Sequence, residues 1–325
     1  MVLRLPQRAS KIPHKAPVQN QLEMEARDLY WIAALIIGSS AIAANLTVIV
    51  TFCRFKRRIL RRKVNKFLLS LAFADLLVGV FSVSLASCLL SNQHGMVYKV
   101  AGNIPLFGSF FASILSLSLL SFDRLIAVEM PLRYCSIVTC RRIAVALASN
   151  WGFTFLMCVQ QYSFYFGFSY RVELRARGTI MIICFFVGAT ILTLTNVLLY
   201  KATKEQYLKT TESEGFFHIE KSCGEDTGRG DTPKRRRPKM SDLAATRECL
   251  CIVLVFICCY LPLSFYRLIY TYGFTFNDLH GRRICLLIAL LSSVINPWIY
   301  FFKRKHFRAL LSKRPAKPDE ETFNL

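Results

Sequence analysis

The sequence predicts an all-α membrane protein: a bundle of seven transmembrane helices with a short amphipathic eighth. Three observations carry that prediction. Apolar residues make up 54% of the 325-residue chain, a share above that of ordinary soluble domains, and the mean hydropathy is +0.37. The excess falls in seven uncharged or nearly uncharged runs, Trp31–Cys53, Phe67–Leu90, Val100–Phe122, Ile143–Tyr170, Gly178–Tyr200, Cys249–Tyr266 and Ile284–Phe302. Each is near the roughly 20 residues that cross a bilayer as helix. The net charge of +22 lies mostly between those runs.

Seven crossings put the termini on opposite faces, and the basic residues choose between them. Translocated short loops are depleted in Lys and Arg, and with the N-terminus outside, thirty of the 42 Lys and Arg fall in inner segments. The first loop is the clearest case: Arg54, Lys56, Arg57, Arg58, Arg61, Arg62, Lys63 and Lys66 precede the second span, against Lys99 alone in the next loop. The expected placement is multi-pass in the plasma membrane, N-terminus extracellular and C-terminus cytoplasmic. Attraction to anionic inner-leaflet lipid, about 1 kcal/mol per basic residue near the surface, accounts for the surplus charge. No nucleic-acid partner is expected, and the run Lys234–Lys239 reads as a solvated inner loop rather than a nuclear signal.

Residues 1–28 are polar, basic and proline-containing, and are expected to form a disordered extracellular tail without a cleavable signal, because they lack an apolar core. A seven-transmembrane domain over 29–311 and a cytoplasmic tail over 312–325 complete the division. In the first span Asn45 is a lone amide, open to a helix-to-helix hydrogen bond or a functional role. The second span carries Asp75. A carboxylate in mid-membrane costs at least about 2.5–3.5 kcal/mol, so it must face the bundle interior and find partners; Ser113 of the third span is at matching depth. That span, opened by Pro105, ends in Asp123 and Arg124, an acid and a cation side by side at the inner membrane boundary.

Trp151 lies in the fourth span, and the fifth runs without proline to Tyr200. The charged, glycine-containing stretch 201–240 reads as a mostly disordered third inner loop whose ends continue the flanking helices. Pro262 in the sixth span removes a helical hydrogen bond and provides a hinge, and in the seventh a second interior proline, Pro297, follows an amide. Beyond them Phe307, Leu310 and Leu311 share one face among basic residues, the pattern of a helix lying on the inner leaflet. The terminal Phe323-Asn324-Leu325 has the apolar-x-apolar form of one class of PDZ ligand.

Of the twelve cysteines none falls clearly in an outer loop, so no extracellular disulfide is expected. No nucleophile elbow and no metal-spaced His pair occurs, and none of the five His lies deep in a span; the chain is not expected to be an enzyme.

Six features in order, each in its own span, resemble the rhodopsin-like (class A) G-protein-coupled receptors: Asn45, SLAFADLLVG with Asp75, DRL at Asp123–Leu125 followed by PLRY, Trp151, CYLP with Pro262, and NPWIY at Asn296–Tyr300. The departures are Leu125 for the family's tyrosine, Tyr260 for its tryptophan, no fifth-span proline, and Lys99 where a cysteine is usual. The last two resemble the branch with melanocortin, cannabinoid, lysophospholipid and adenosine-type receptors. The resemblance implies a switch: Arg124, held by Asp123 and by Asp242, is released as the sixth helix swings about Pro262 and admits a heterotrimeric G protein, while Tyr200 and Tyr300 restack. It also implies an allosteric sodium ion at Asp75, Ser113, Ser293 and Asn296, and no other cofactor.

For the ligand, the amine-binding acid of the family is replaced by Leu106, and the retinal lysine by Leu290. The inward candidates Leu106, Phe107, Phe110, Tyr260, Leu263, Tyr266 and Leu286 are apolar or aromatic, with Arg267, Arg282 and Arg283 near the mouth. A greasy pocket with a cationic rim suits an anionic amphiphile; the same arginines would equally face lipid headgroups at the boundary. A small-molecule, lipid or peptide ligand is expected from outside. The alternatives are a seven-helix scaffold that does not signal and, with less support, a transporter, for which no inverted repeat is present.

Overall fold

The computed structural model describes residues 17–55, 62–92, 95, 97–167, 170–223, 240–272 and 279–302, and some side chains at helix ends, including those of 209–223 and 240–246, fall outside that description. Among the described residues there is no strand, and seven helices are long and apolar enough to cross a membrane. They are α1 (Pro17–Arg54), α2 (Val64–Leu90), α3 (Ile104–Glu129), α4 (Cys140–Gly167), α5 (Tyr170–Cys223), α6 (Met240–Tyr272) and α7 (Leu279–Pro297). The eighth helix expected at Phe307, Leu310 and Leu311, the basic run Lys234–Lys239 and the terminal Phe323–Leu325 lie outside the described residues.

One boundary differs from expectation, and another goes in the expected direction. α1 begins at Pro17, inside the segment read as a disordered tail; proline suits the first turn of a helix, and Gln, Leu, Met, Glu and Ala that follow are good helix formers. α5 continues to Cys223, more than six turns beyond Tyr200, in line with a loop whose ends continue the flanking helices, and the lone Gly215 does not interrupt it.

The helices form a closed ring: α1 packs on α2 and α7, α5 on α6, and α6 on α7, while α3 touches α2, α4, α5 and α6. α3 is therefore the central column. α1 and α2 meet through two small residues. A Cβ on Gly79 would stand 2.9 Å from the Gly38 carbonyl oxygen, and one on Gly38 3.2 Å from that of Gly79. Without side chains there the backbones approach closely enough for dispersion to hold them, which is the main attraction between helices in lipid.

Prolines leave carbonyls that side chains from other helices take up. Pro105 lacks the N–H that α-helical pairing would direct at Ala101, and Ser84 of α2 donates to that carbonyl at 3.0 Å. Pro297 withholds its bond from Ser293 in the same way, and Asn45 of α1 donates its Nδ2 to the Ser293 carbonyl at 3.0 Å. Beyond Pro297 the chain widens into a π-helical turn, Trp298–Phe302, a common neighbour of a proline break.

Candidate functional site

Three layers of polar or open structure are stacked along α3. The middle layer is Asp75, fully buried. Ser113 of α3 donates to its Oδ1 at 2.9 Å, Ser293 of α7 to the same oxygen at 3.0 Å, and Asn296 to Oδ2 at 2.9 Å. Two helices, α3 and α7, thus converge on one carboxyl group of α2. The four residues expected to form an ion pocket are brought together. They fit a hard monovalent cation: a carboxylate and two hydroxyls supply oxygens, and Asn296 Oδ1 is buried without a hydrogen-bond partner among the described residues.

At one end of α3, Asp123 is buried and half-buried Arg124 folds back on it, with Nε at 3.1 Å from Asp123 Oδ2 and a second bond to the same oxygen from the guanidinium. The structure adds a partner that the sequence analysis did not include. After α3 the chain turns into a short helix, Tyr134–Ile137, and the Tyr134 hydroxyl donates to Asp123 Oδ1 at 2.7 Å. Burial, then the neighbouring Asp123 carboxylate, push the Tyr134 hydroxyl above the ordinary tyrosine range, so it stays a donor. Lys63 covers the ring of Tyr134 from 5.2 Å. Leu125 is half-buried beside this cluster. The side chain of Asp242 lies outside the described residues.

At the other end, α3, α5 and α6 line an open cavity with about 480 Å³ of free space, the solvent at its mouth included. Phe107, Phe110, Phe111 and Ile114 give it one face of α3, and Tyr260, Leu263, Ser264 and Arg267 one face of α6. Both sets follow the i, i+3, i+4, i+7 spacing that puts residues on a single helical face. Met181, Ile182 and Phe185 close it from α5, and Phe256 from α6. The Arg267 guanidinium lies 4.1 Å from the centre of the Phe107 ring.

Five of the expected ligand-binding residues, Phe107, Phe110, Tyr260, Leu263 and Arg267, line this cavity. Leu106, Tyr266 and Leu286 do not. Leu106 and Tyr266 each stand one position, about 100° of helical turn, from a lining residue, and both are buried in packing instead. Leu286 belongs to α7, which contributes nothing to the lining. Tyr200 is 56% exposed and Tyr300 1% exposed, with its hydroxyl unpartnered among the described residues, so the two tyrosines face different surroundings in this arrangement. Pro262 lies inside α6, six residues beyond Phe256 and five before Arg267.

Residues 44–300 match the family 7 transmembrane receptor (rhodopsin family). Human melanopsin is 25% identical over 307 residues, covering 86% of this chain and 60% of the relative, and the Mus musculus melanopsin is 24% identical over 310 residues, covering 86% and 54%. The human muscarinic acetylcholine receptor M1 is 33% identical over 125 residues, 38% of this chain and 27% of the relative. The chain therefore spans about 60% or less of the length of these curated relatives. With a match covering most of its length and a ring of seven apolar helices, the chain is a multi-pass membrane protein that belongs to the rhodopsin family of seven-transmembrane receptors.

Proposed function

We propose that the chain is a plasma-membrane receptor, N-terminus outside, that converts binding of an extracellular ligand into activation of a heterotrimeric G protein. The observation that carries this reading is α3 itself, which touches an open cavity at one end, the Asp75 pocket in the middle and the Asp123–Arg124 pair at the other. Ligand contact with the faces of α3 and α6 biases α6, which swings about Pro262. The inner ends of the helices then part, Arg124 leaves Asp123, and a G-protein helix enters the space between them. A sodium ion held by Asp75, Ser113, Ser293 and Asn296 favours the closed arrangement, and the ligand needs only to bind the open one better.

The ligand is an anionic amphiphile. One relative is named for acetylcholine, which is a cation; in this cavity a cation would meet the Arg267 guanidinium and no carboxylate among the lining residues. A retinal Schiff base needs an amine, and α7 contains no lysine. An apolar body against Phe110, Phe111 and Phe185, with a carboxylate or phosphate gripped by Arg267, fits both the lining and the charge.

A reporter assay for each major G-protein class, with a panel of acidic lipids, tests the reading. The expected result is a response that Arg124→Ala abolishes at equal surface expression, and whose half-maximal concentration Arg267→Ala raises at least tenfold. An active acidic lipid with unchanged potency on Arg267→Ala removes the anion reading alone. If no basal or stimulated signal is present for Arg124→Ala to remove, a non-signalling partner is the better description.

A further inference from the structure

Beside the ligand cavity lies a second space, a crevice between α3, α4 and α5 with about 250 Å³ of free space, the solvent at its mouth included. α3 lines it with Ile104, Phe107, Gly108 and Phe111. These repeat the i, i+3, i+4, i+7 spacing of the cavity face, displaced by three residues. Phe107 and Phe111, together with Met181 of α5, line both spaces. Those three side chains are therefore a common wall.

The two spaces differ in charge. Arg267 lines the cavity, whereas no charged residue lines the crevice among the described residues. The crevice walls are aliphatic, aromatic and sulfur-bearing, with a single amide. Gly108 lets α4 bring Cys158 up to α3, because a Cβ on Gly108 would overlap the Cys158 sulfur. Ile180 of α5 lines the crevice and not the cavity. Apolar space of this kind gives water few partners, while hydrocarbon gains dispersion contacts along every wall.

We propose that this crevice lodges the hydrocarbon tail of the activating ligand, whose acidic head is held by Arg267. The ligand is then a single-chain anionic amphiphile long enough to pass Phe107, Phe111 and Met181. The inference rests on the reading of the ligand as an anionic amphiphile, and adds its orientation and a length requirement. The common wall favours the ligand's own tail over the chain of a bilayer lipid. A tail coming from the cavity has to move only side chains, one of them an unbranched methionine that adapts its shape readily. A tail too short to reach the wall stays within the cavity and gains nothing from the crevice.

A G-protein reporter assay on the full-length receptor in cells tests this, with homologous series of saturated n-alkyl phosphates and of fatty acids. Wild type is expected to gain about fourfold in potency for each methylene that enters the crevice. Ile180→Trp, which fills the crevice from α5, is compared with wild type at equal surface expression. The ratio of its half-maximal concentration to that of wild type is expected to grow with chain length, reaching at least about tenfold for the longest active members. Because the ratio is taken at each length, partition of the lipids into the membrane cancels. Ile180→Phe fills less of the space and serves if Ile180→Trp does not reach the surface. A ratio that is the same at every length, as a crevice held by bilayer lipid or a generally impaired receptor would give, overturns the inference and leaves the anionic amphiphile standing. If no member of either series activates wild type, both fall.

Discussion

Asn296 Nδ2 lies 2.9 Å from Asp75 Oδ2, a bond between α7 and α2 across 221 positions of chain. It holds the end of α7 just before Pro297, where the helix has lost a backbone bond of its own. Replacing Asp75 with alanine leaves Asn296, Ser113 and Ser293 without their shared acceptor in a site closed to bulk water. We expect Asp75→Ala to lower stability by about 2–4 kcal/mol, read as a fall in the thermal unfolding midpoint. Asp75→Asn keeps the shape and one acceptor oxygen, and its loss should be about half as large. Equal midpoints for Asp75→Ala and wild type would show that the three donors re-pair elsewhere.

The end of α3 makes a prediction about basal signalling. Tyr134 and Arg124 both bond Asp123, one to each carboxylate oxygen, so the tyrosine orients the acid that holds the arginine. Removing one such bond costs about 1 kcal/mol, so Tyr134→Phe should raise basal G-protein activation about fivefold, and Asp123→Asn should raise it further. The double variant should match Asp123→Asn alone, because the two act through one contact. The sign of the pH dependence follows from the raised hydroxyl: its bonded, protonated form persists through the ordinary tyrosine range and is lost only above it. The difference between wild type and Tyr134→Phe should therefore be flat from about pH 6 to 9.

What was legible in the sequence, and what was not, divides along a physical line. A charged or amide group inside an apolar run is conspicuous, so Asp75, Asn296 and the Asp123–Arg124 pair stood out, and Pro297 marked the end of the α-helical part of α7. The aromatic cavity was only half legible. In helices that are apolar on every side, periodicity does not separate lipid-facing from inward-facing residues, which is why Leu106 was expected at the cavity and Phe111, Met181 and Phe185 were not. The spacing of Phe107, Phe110, Phe111 and Ile114 held the signal, once Phe107 rather than Leu106 is taken as the first residue of the face. Tyr134 was missed for another reason: its bond depends on the turn after Met130, whose path no local pattern dictates.

Close packing of α1 on α2 gives a prediction with an internal control. A methyl at Gly79 would meet the Gly38 carbonyl oxygen and Ile42 Cγ1, both at 2.9 Å, whereas a methyl at Gly38 meets the Val83 side chain first, at 3.0 Å. Backbone cannot yield as a rotamer can. Gly79→Ala should therefore destabilise by about 1–3 kcal/mol, and Gly38→Ala by less. The ranking of the two thermal midpoints is the measurement; the reverse order would mean that α1 shifts along α2 at low cost.

A last prediction concerns the seam where α2, α3 and α4 meet. Ser116 shares a hydrogen bond with Ser70 at 3.1 Å and accepts from Asn150 Nδ2 at 3.0 Å, and the Trp151 indole donates to Ser70 at 3.2 Å. Two small hydroxyls thus serve two larger side chains of α4, a helix whose outer face is largely turned away from the bundle. Ser116→Ala deprives Asn150 of its acceptor and should cost about 0.5–1.5 kcal/mol, the scale of single interhelical bonds in membranes. Ser70→Ala should cost a similar amount through Trp151. Because each serine is also the other's partner, the double variant should lose less than the sum of the two. Strict additivity in the unfolding midpoints would mean that the Ser70–Ser116 bond carries no energy and that α4 is held by its two contacts separately.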